Sequence, residues 1–105
     1  MAEFRVTCEE NEDGGVYRAW DAAGTLAGYM TWRQITPEER SLDHTKVEEA
    51  FGGQGVGLRL LAEAMADARA EHLRLRPVCS FVAHYFDKHA AEVADLRGGY
   101  GERCL

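Results

Sequence analysis

The chain has 105 residues, enough for one domain with a modest core and not for two. Hydrophobic residues are 46% of it and charged residues 29%, a globular balance that excludes disordered and collagen-like chains. Twelve basic against eighteen acidic side chains leave a net charge of −6, which argues against non-specific nucleic-acid binding.

Phe4, Val6 and Cys8 alternate with Arg5 and Thr7, the pattern of a half-buried strand with Cys8 on the core side. Asn11 to Gly15 is a turn cluster, and Val16 to Trp20 follows as a second strand. Asp21 to Gly24 makes the next turn. Leu26, Gly28, Met30 and Trp32 then alternate with Ala27, Tyr29, Thr31 and Arg33 in a third strand, and Pro37 ends it in a loop running to Arg40. Ser41 to Glu49 reads as a fourth strand of imperfect alternation. Leu42 and His44 fall on one face, Thr45 and Val47 on the other, and a β-bulge would account for the change of parity. The four strands form a meander.

Beyond Gly57 the period changes. Leu58, Leu61, Met65, Ala68 and His72 mark one face of a helix of about four turns. Leu73 and Leu75 alternate with Arg74 and Arg76 in a fifth strand with Cys79 at its end. Phe81, Val82, Tyr85, Phe86 and His89 then mark a second amphipathic helix, with Ser80 as its N-cap. A crossover helix between the fourth and fifth strands makes them parallel. The fold class is therefore α+β in the order ββββ-α-β-α, a single domain over residues 1–105 with its core in 4–96 and a tail from 97 to 105.

Three cysteines, Cys8, Cys79 and Cys104, sit at wide spacings with no Cys-x-x-Cys pair, so neither a zinc site nor a disulfide framework is expected. The opening lacks an apolar signal segment, and no apolar run approaches the roughly 20 residues of a membrane span. The expectation is a cytoplasmic protein with reduced thiols, monomeric or homodimeric, with no nucleic-acid or membrane partner. Residues 1–49 hold five basic and eleven acidic side chains, a balance of −6. They are expected to present a negative surface, either a solubilising face or one attractive to cationic groups.

The segment with most chemical content is Ala50-Phe51-Gly52-Gly53-Gln54-Gly55-Val56-Gly57, between a strand and a long helix. Glycines let a ligand approach the backbone, and the free N–H groups at a helix start attract anions. The natural ligand is a phosphate or pyrophosphate. The Gly-Lys-Ser/Thr ending of a nucleotide-hydrolysing loop is absent. Leu60 occupies the place of the third glycine in a dinucleotide fingerprint, and the loop follows the fourth strand rather than the first.

This loop after a meander, with His44-Thr45-x-Val47 before it and Leu75 to Tyr85 after it, resembles the GNAT N-acetyltransferases. It is most similar to a branch of small single-domain members, over residues 4–96. The resemblance implies acetyl-CoA as co-substrate, with no metal. It implies Gly52, Gly53, Gln54, Gly55, Val56, Gly57 and Leu58 around the pyrophosphate, and Val47 on backbone left open by splayed fourth and fifth strands. Gly52 departs from the pattern, standing where the superfamily loop has Arg or Gln. Candidate catalytic groups are Cys79, Tyr85 and His44. Cys79 is either an acetyl-accepting or thioester-positioning thiol or a buried small hydrophobe. Tyr85 is an acid for the departing thiolate or a packing residue. His44 is a general base or a buried, hydrogen-bonded histidine sharing Leu42's face. Three functions stay open: acetyl transfer to a primary amine on a protein lysine, polyamine or small metabolite; coenzyme A binding without turnover; and a protein-interaction module using the acidic meander.

Overall fold

The computed structural model describes residues 3–97. The expected tail and Cys104 lie outside the described residues, Arg97 apart. Alternating apolar residues produce four antiparallel strands, β1 (Arg5–Glu10), β2 (Gly14–Trp20), β3 (Leu26–Thr36) and β4 (Glu39–Val47). A single 3₁₀ turn (Glu49–Phe51) leads through the glycine loop into helix α1 (Val56–Ala70), strand β5 (Arg74–Pro77) and helix α2 (Ser80–Lys88). The sheet order is β1-β2-β3-β4-β5, with β4 and β5 parallel. The expected α+β architecture is the observed one.

The β1–β2 turn is closed by Asn11, whose Oδ1 accepts from the N–H groups of Asp13 and Gly14. Between β3 and β4 the turn is tighter than the expected loop, so β4 spans residues 39–47 rather than 41–49. The charged run of Glu38, Glu39 and Arg40 reads as loop, yet Arg40 is 7% exposed. Its guanidinium lies 4.1 Å above the Trp32 ring and its Nε donates to Gln34 at 2.9 Å. Aromatic stacking and a hydrogen bond take the place of water there.

The sheet's inner face carries Tyr17, Ala19, Met30, Trp32 and Leu42 into one core with Leu60, Leu61, Ala64 and Ala68 of α1 and Val82 and Phe86 of α2. Cys8, expected in that core, is exposed. It faces inward by register with Tyr17 but stands on β1, the edge strand. Its partial burial and the nearby carboxylate of Glu10 raise the thiol pKa above its ordinary value. His72, expected on the apolar helix stripe, is exposed because α1 stops at Ala70. Its φ of 59° places it in the left-handed conformation that ends many helices, and the Leu73 N–H closes the turn on Ala68 O at 2.8 Å.

One polar pair ties the meander to α1: the buried Tyr17 hydroxyl donates to Asp67 Oδ2 at 2.7 Å. Burial, then this bond to a carboxylate, push the Tyr17 pKa far above its ordinary 10.0. Above pH 10 the unfolded chain therefore loses a proton that the folded chain keeps. Stability is full below that pH and falls by about 1.4 kcal/mol per pH unit above it. Urea unfolding at pH 9 and pH 11 checks this, since Tyr17→Phe should remove that part of the alkaline decline while costing about 1 kcal/mol at neutral pH.

Candidate functional site

Three local features shape one cleft. The first is the end of the β4–β5 ladder. The strands pair from Glu39↔Arg74 to Leu42↔Pro77 and no further. Pro77 has no N–H to continue the ladder, and the chain turns so that the Cys79 N–H reaches Leu42 O at 2.8 Å before α2 begins. Asp43 to Val47 thus have no partner strand on that edge among the described residues. This is the splay expected beside Val47.

The second feature is a bulge. Thr31 pairs with His44 and Trp32 with Leu42, which leaves Asp43 as the extra residue. The parity change puts Thr45 opposite Met30 and Val47 opposite Gly28, on the same inner face as Leu42. His44 is turned to the other face and is exposed, where a buried histidine beside Leu42 was expected. Asp43 accepts from Ser41 Oγ at 2.7 Å and from Arg33 Nε at 2.6 Å on that outer face.

The third feature is the glycine loop. Gly53 and Gly55 have φ of 78° and 79°, the left-handed region where a Cβ is strained. Gly55 is the N-cap of α1, and the Arg59 N–H bonds its carbonyl at 2.9 Å. The N–H groups of Gly53, Gln54, Gly55, Val56, Gly57 and Leu58 find no acceptor among the described residues. Six consecutive open amides at a helix start make a cradle for an anion. Gly52 needs no special backbone, with φ of −61°, and a Cβ there would meet only Glu49 O at 3.6 Å. The longer side chain usual at that position would therefore fit.

Between these features lies a cleft of about 290 Å³ lined by Thr45, Val47, Phe51, Gly52, Gly53, Gly55, Val56, Gly57, Leu58 and Phe81. Phe51 is anchored edge-to-face on Phe4 with ring centres 6.0 Å apart. Phe81 of α2 stands so close to α1 that a Cβ on Gly57 would lie 3.0 Å from its ring. Leu58 is 51% exposed and Val78, in the turn before α2, is 49% exposed. The lining thus combines the open backbone of the glycine loop with the apolar side chains of Val47, Phe51, Val56 and Phe81, which suits a ligand with an anionic head and a slender, less polar arm. A larger hollow of about 430 Å³, bounded by Arg69, His72, Arg74 and Asp95, lies at the far end of α1.

The candidate residues separate on this geometry. Seven of the eight expected around the coenzyme, all but Gln54, line the cleft. Cys79 rather than Ser80 is the N-cap of α2 and is 9% exposed. Its Sγ–H donates to Thr45 Oγ1 at 3.3 Å, so the thiol sits behind Thr45. Tyr85 lies one turn of α2 beyond Phe81, outside the cleft lining. Its hydroxyl donates to Glu92 Oε2 at 3.1 Å and its ring lies 4.3 Å from the His89 ring. Partial burial and the Glu92 carboxylate raise its pKa. Thr45 belongs to the His44-Thr45-x-Val47 segment but is not among the candidate site residues read from the sequence, and the bulge is what turns it inward.

The family model for the GCN5-related N-acetyl-transferases matches residues 16–96, most of the chain. The chain belongs to this family. The fold of this GCN5-related chain is similar to the NMR solution structure of a GCN5-like protein from Staphylococcus aureus, with a TM-score of 0.66 and 28% identity over 88% of this chain and 87% of that one. It is also similar in fold to the crystal structure of nourseothricin acetyltransferase, with a TM-score of 0.54 and 21% identity over 70% of this chain and 56% of that one. No curated protein matches this GCN5-related sequence. Among the described residues no helix is long and apolar enough to cross a membrane.

Proposed function

We propose that the protein binds acetyl-CoA in this cleft and transfers the acetyl group to a primary amine. The observation that carries the reading is the run of six open amides at the start of α1, placed beside the unpaired edge of β4. The amides of Gly53 to Leu58 would hold the pyrophosphate. The open backbone near Val47 would pair with the pantetheine arm, and Phe51 and Phe81 would flank it. In the reaction the amine nitrogen bonds the acetyl carbonyl carbon, the carbon–sulfur bond breaks, and coenzyme A leaves as its thiolate. The amine gives up a proton, which balances the protonation of that thiolate. His44, exposed one residue from Thr45 on the outer face of β4, is the imidazole available to take the proton from an amine approaching on that side.

The acidic surface has less to do with acceptor choice than the sequence suggests. Glu9, Glu10, Glu12 and Asp13 lie on β1 and its hairpin, three strand spacings or about 14 Å from β4. Glu48 and Glu49 lie in sequence between Val47 and Phe51, two residues that line the cleft, and would attract a cationic acceptor there.

The absence of a side chain at Gly52 favours a second reading, a coenzyme-binding module without turnover. The two readings are separated by incubating the protein with acetyl-CoA and a panel of spermidine, free lysine and a lysine-rich peptide, and following release of the free coenzyme thiol. Amine-dependent release supports transfer. Tight binding with no release from any amine supports the module.

A further inference from the structure

Cys79, a candidate catalytic thiol or buried small hydrophobe by sequence, does not line the cleft, whereas Thr45 does. Thr45 carries the one polar side chain among the residues that line the cleft, and among the described residues its side-chain hydrogen-bond partner is the Cys79 thiol at 3.3 Å. That thiol is in turn fixed. Its backbone N–H is bound to Leu42 O at 2.8 Å, its carbonyl accepts the Ala83 N–H at 2.9 Å, and it stands at the N-cap of α2 among buried core residues. A hydroxyl has one donor and two acceptor sites. With Cys79 Sγ–H occupying one acceptor site of Oγ1, the Thr45 hydrogen is left to be donated to another acceptor, and the cleft that Thr45 lines is where a ligand would offer one. The Asp43 bulge is what points this side chain inward at all.

The geometry points to Thr45 as the side chain that contacts the acyl group in the cleft, donating a hydrogen bond to the acyl oxygen, with Cys79 acting behind it as a positioning residue. This rests on the coenzyme reading and sharpens it by dividing the labour at the inner end of the site. The hydroxyl holds the carbonyl and stabilises the negative charge that its oxygen gains as the amine adds. The thiol keeps the hydroxyl in one rotamer and forms no bond to the acetyl group.

The test is calorimetric titration with acetyl-CoA and, separately, with free coenzyme A, which lacks the acyl oxygen. Thr45→Val keeps the side chain's shape and removes the hydroxyl. It should weaken acetyl-CoA binding about tenfold, the effect of one hydrogen bond, and leave coenzyme A binding within twofold. Thr45→Ser should keep the wild-type preference for acetyl-CoA, which guards against a loss caused by altered folding. Cys79→Ala should reduce that preference by a smaller factor, about threefold, because the hydroxyl remains but is less well held. A merely structural role for either residue would move both ligands together. Equal affinities of Thr45→Val and wild type for acetyl-CoA would overturn the assignment. So would an acetyl-enzyme adduct found on Cys79 by mass spectrometry. Absence of binding of both ligands to the wild type would refute the coenzyme reading itself, and this assignment with it.

Discussion

Replacing Gly55 with valine should lower acetyl-CoA affinity by at least about a hundredfold, roughly 2.7 kcal/mol. The space around the residue is open, for a Cβ there meets nothing within 4 Å. The effect comes from the backbone. At φ of 79° a β-branched residue carries strain of about 1–3 kcal/mol, and the chain would relieve it by leaving the left-handed turn. Gly55 is the N-cap of α1, so its rotation re-aims the six open amides on either side of it. Calorimetric titration of the variant checks the loss. Gly52→Ala is the control, since that residue has φ of −61° and room for a Cβ. It should bind acetyl-CoA as the wild type does. Equal affinity in the Gly55 variant would remove the loop from the site.

A second large effect is expected at Gly28, on stability rather than on the loop. Gly28 faces inward on β3, opposite Val47. A Cβ there would lie 2.6 Å from Lys46 O and 2.9 Å from Val56 Cγ1. The first neighbour is backbone and cannot swing away, and the second is the first residue of α1. Gly28→Val should therefore force β4 and the start of α1 away from β3, at a cost of about 3 kcal/mol. For a chain of this size the melting temperature should fall by roughly 15 °C. Thermal unfolding followed by circular dichroism reads this directly. A fall of less than a few degrees would show that the strand and helix approach each other less closely than described. The position shows that the cleft is tied to the core, because the contact that seats α1 also sets its distance from the open edge of β4.

Particular residues show what the sequence could and could not reveal. The alternation of Gly28, Met30 and Trp32 and the helical spacing of Leu61, Met65 and Ala68 survive because both follow from burying one face of a regular element, whereas Ala27 is buried where the β2–β3 register shifts and Leu58, expected on the helix stripe, is exposed. The parallel β4–β5 pair follows from the crossover alone. The glycine loop stands out in the sequence because so many glycines between a strand and a helix mark either a tight structural turn or backbone open to an anion, and the left-handed φ of Gly53 and Gly55 accounts for two of them. What failed was parity and exposure near irregularities. The sequence points to a bulge, but its place at Asp43 depends on pairing with β3, so alternation alone puts His44 on Leu42's face and Thr45 on the opposite one, the reverse of what the pairing shows. Cys8 obeys the alternation yet is exposed, because alternation gives direction and not depth at an edge strand. Arg40 reads as loop because its burial depends on Trp32 and Gln34, brought beside it by the hairpin. The spacing of Tyr85 from Cys79 places it on α2, but its hydroxyl is directed by Glu92, beyond the helix end.

The central claim is that the amides of Gly53 to Leu58 hold the coenzyme's pyrophosphate, and it is tested most directly on those amides. Titrating ¹⁵N-labelled protein with acetyl-CoA should shift their backbone resonances, with those of Thr45 and Val47, and saturate in the micromolar range, about −8 kcal/mol. The resonances of the β1–β2 hairpin should stay fixed. Unmoved loop amides at millimolar acetyl-CoA would contradict the account and leave the glycine loop as a structural turn between β4 and α1.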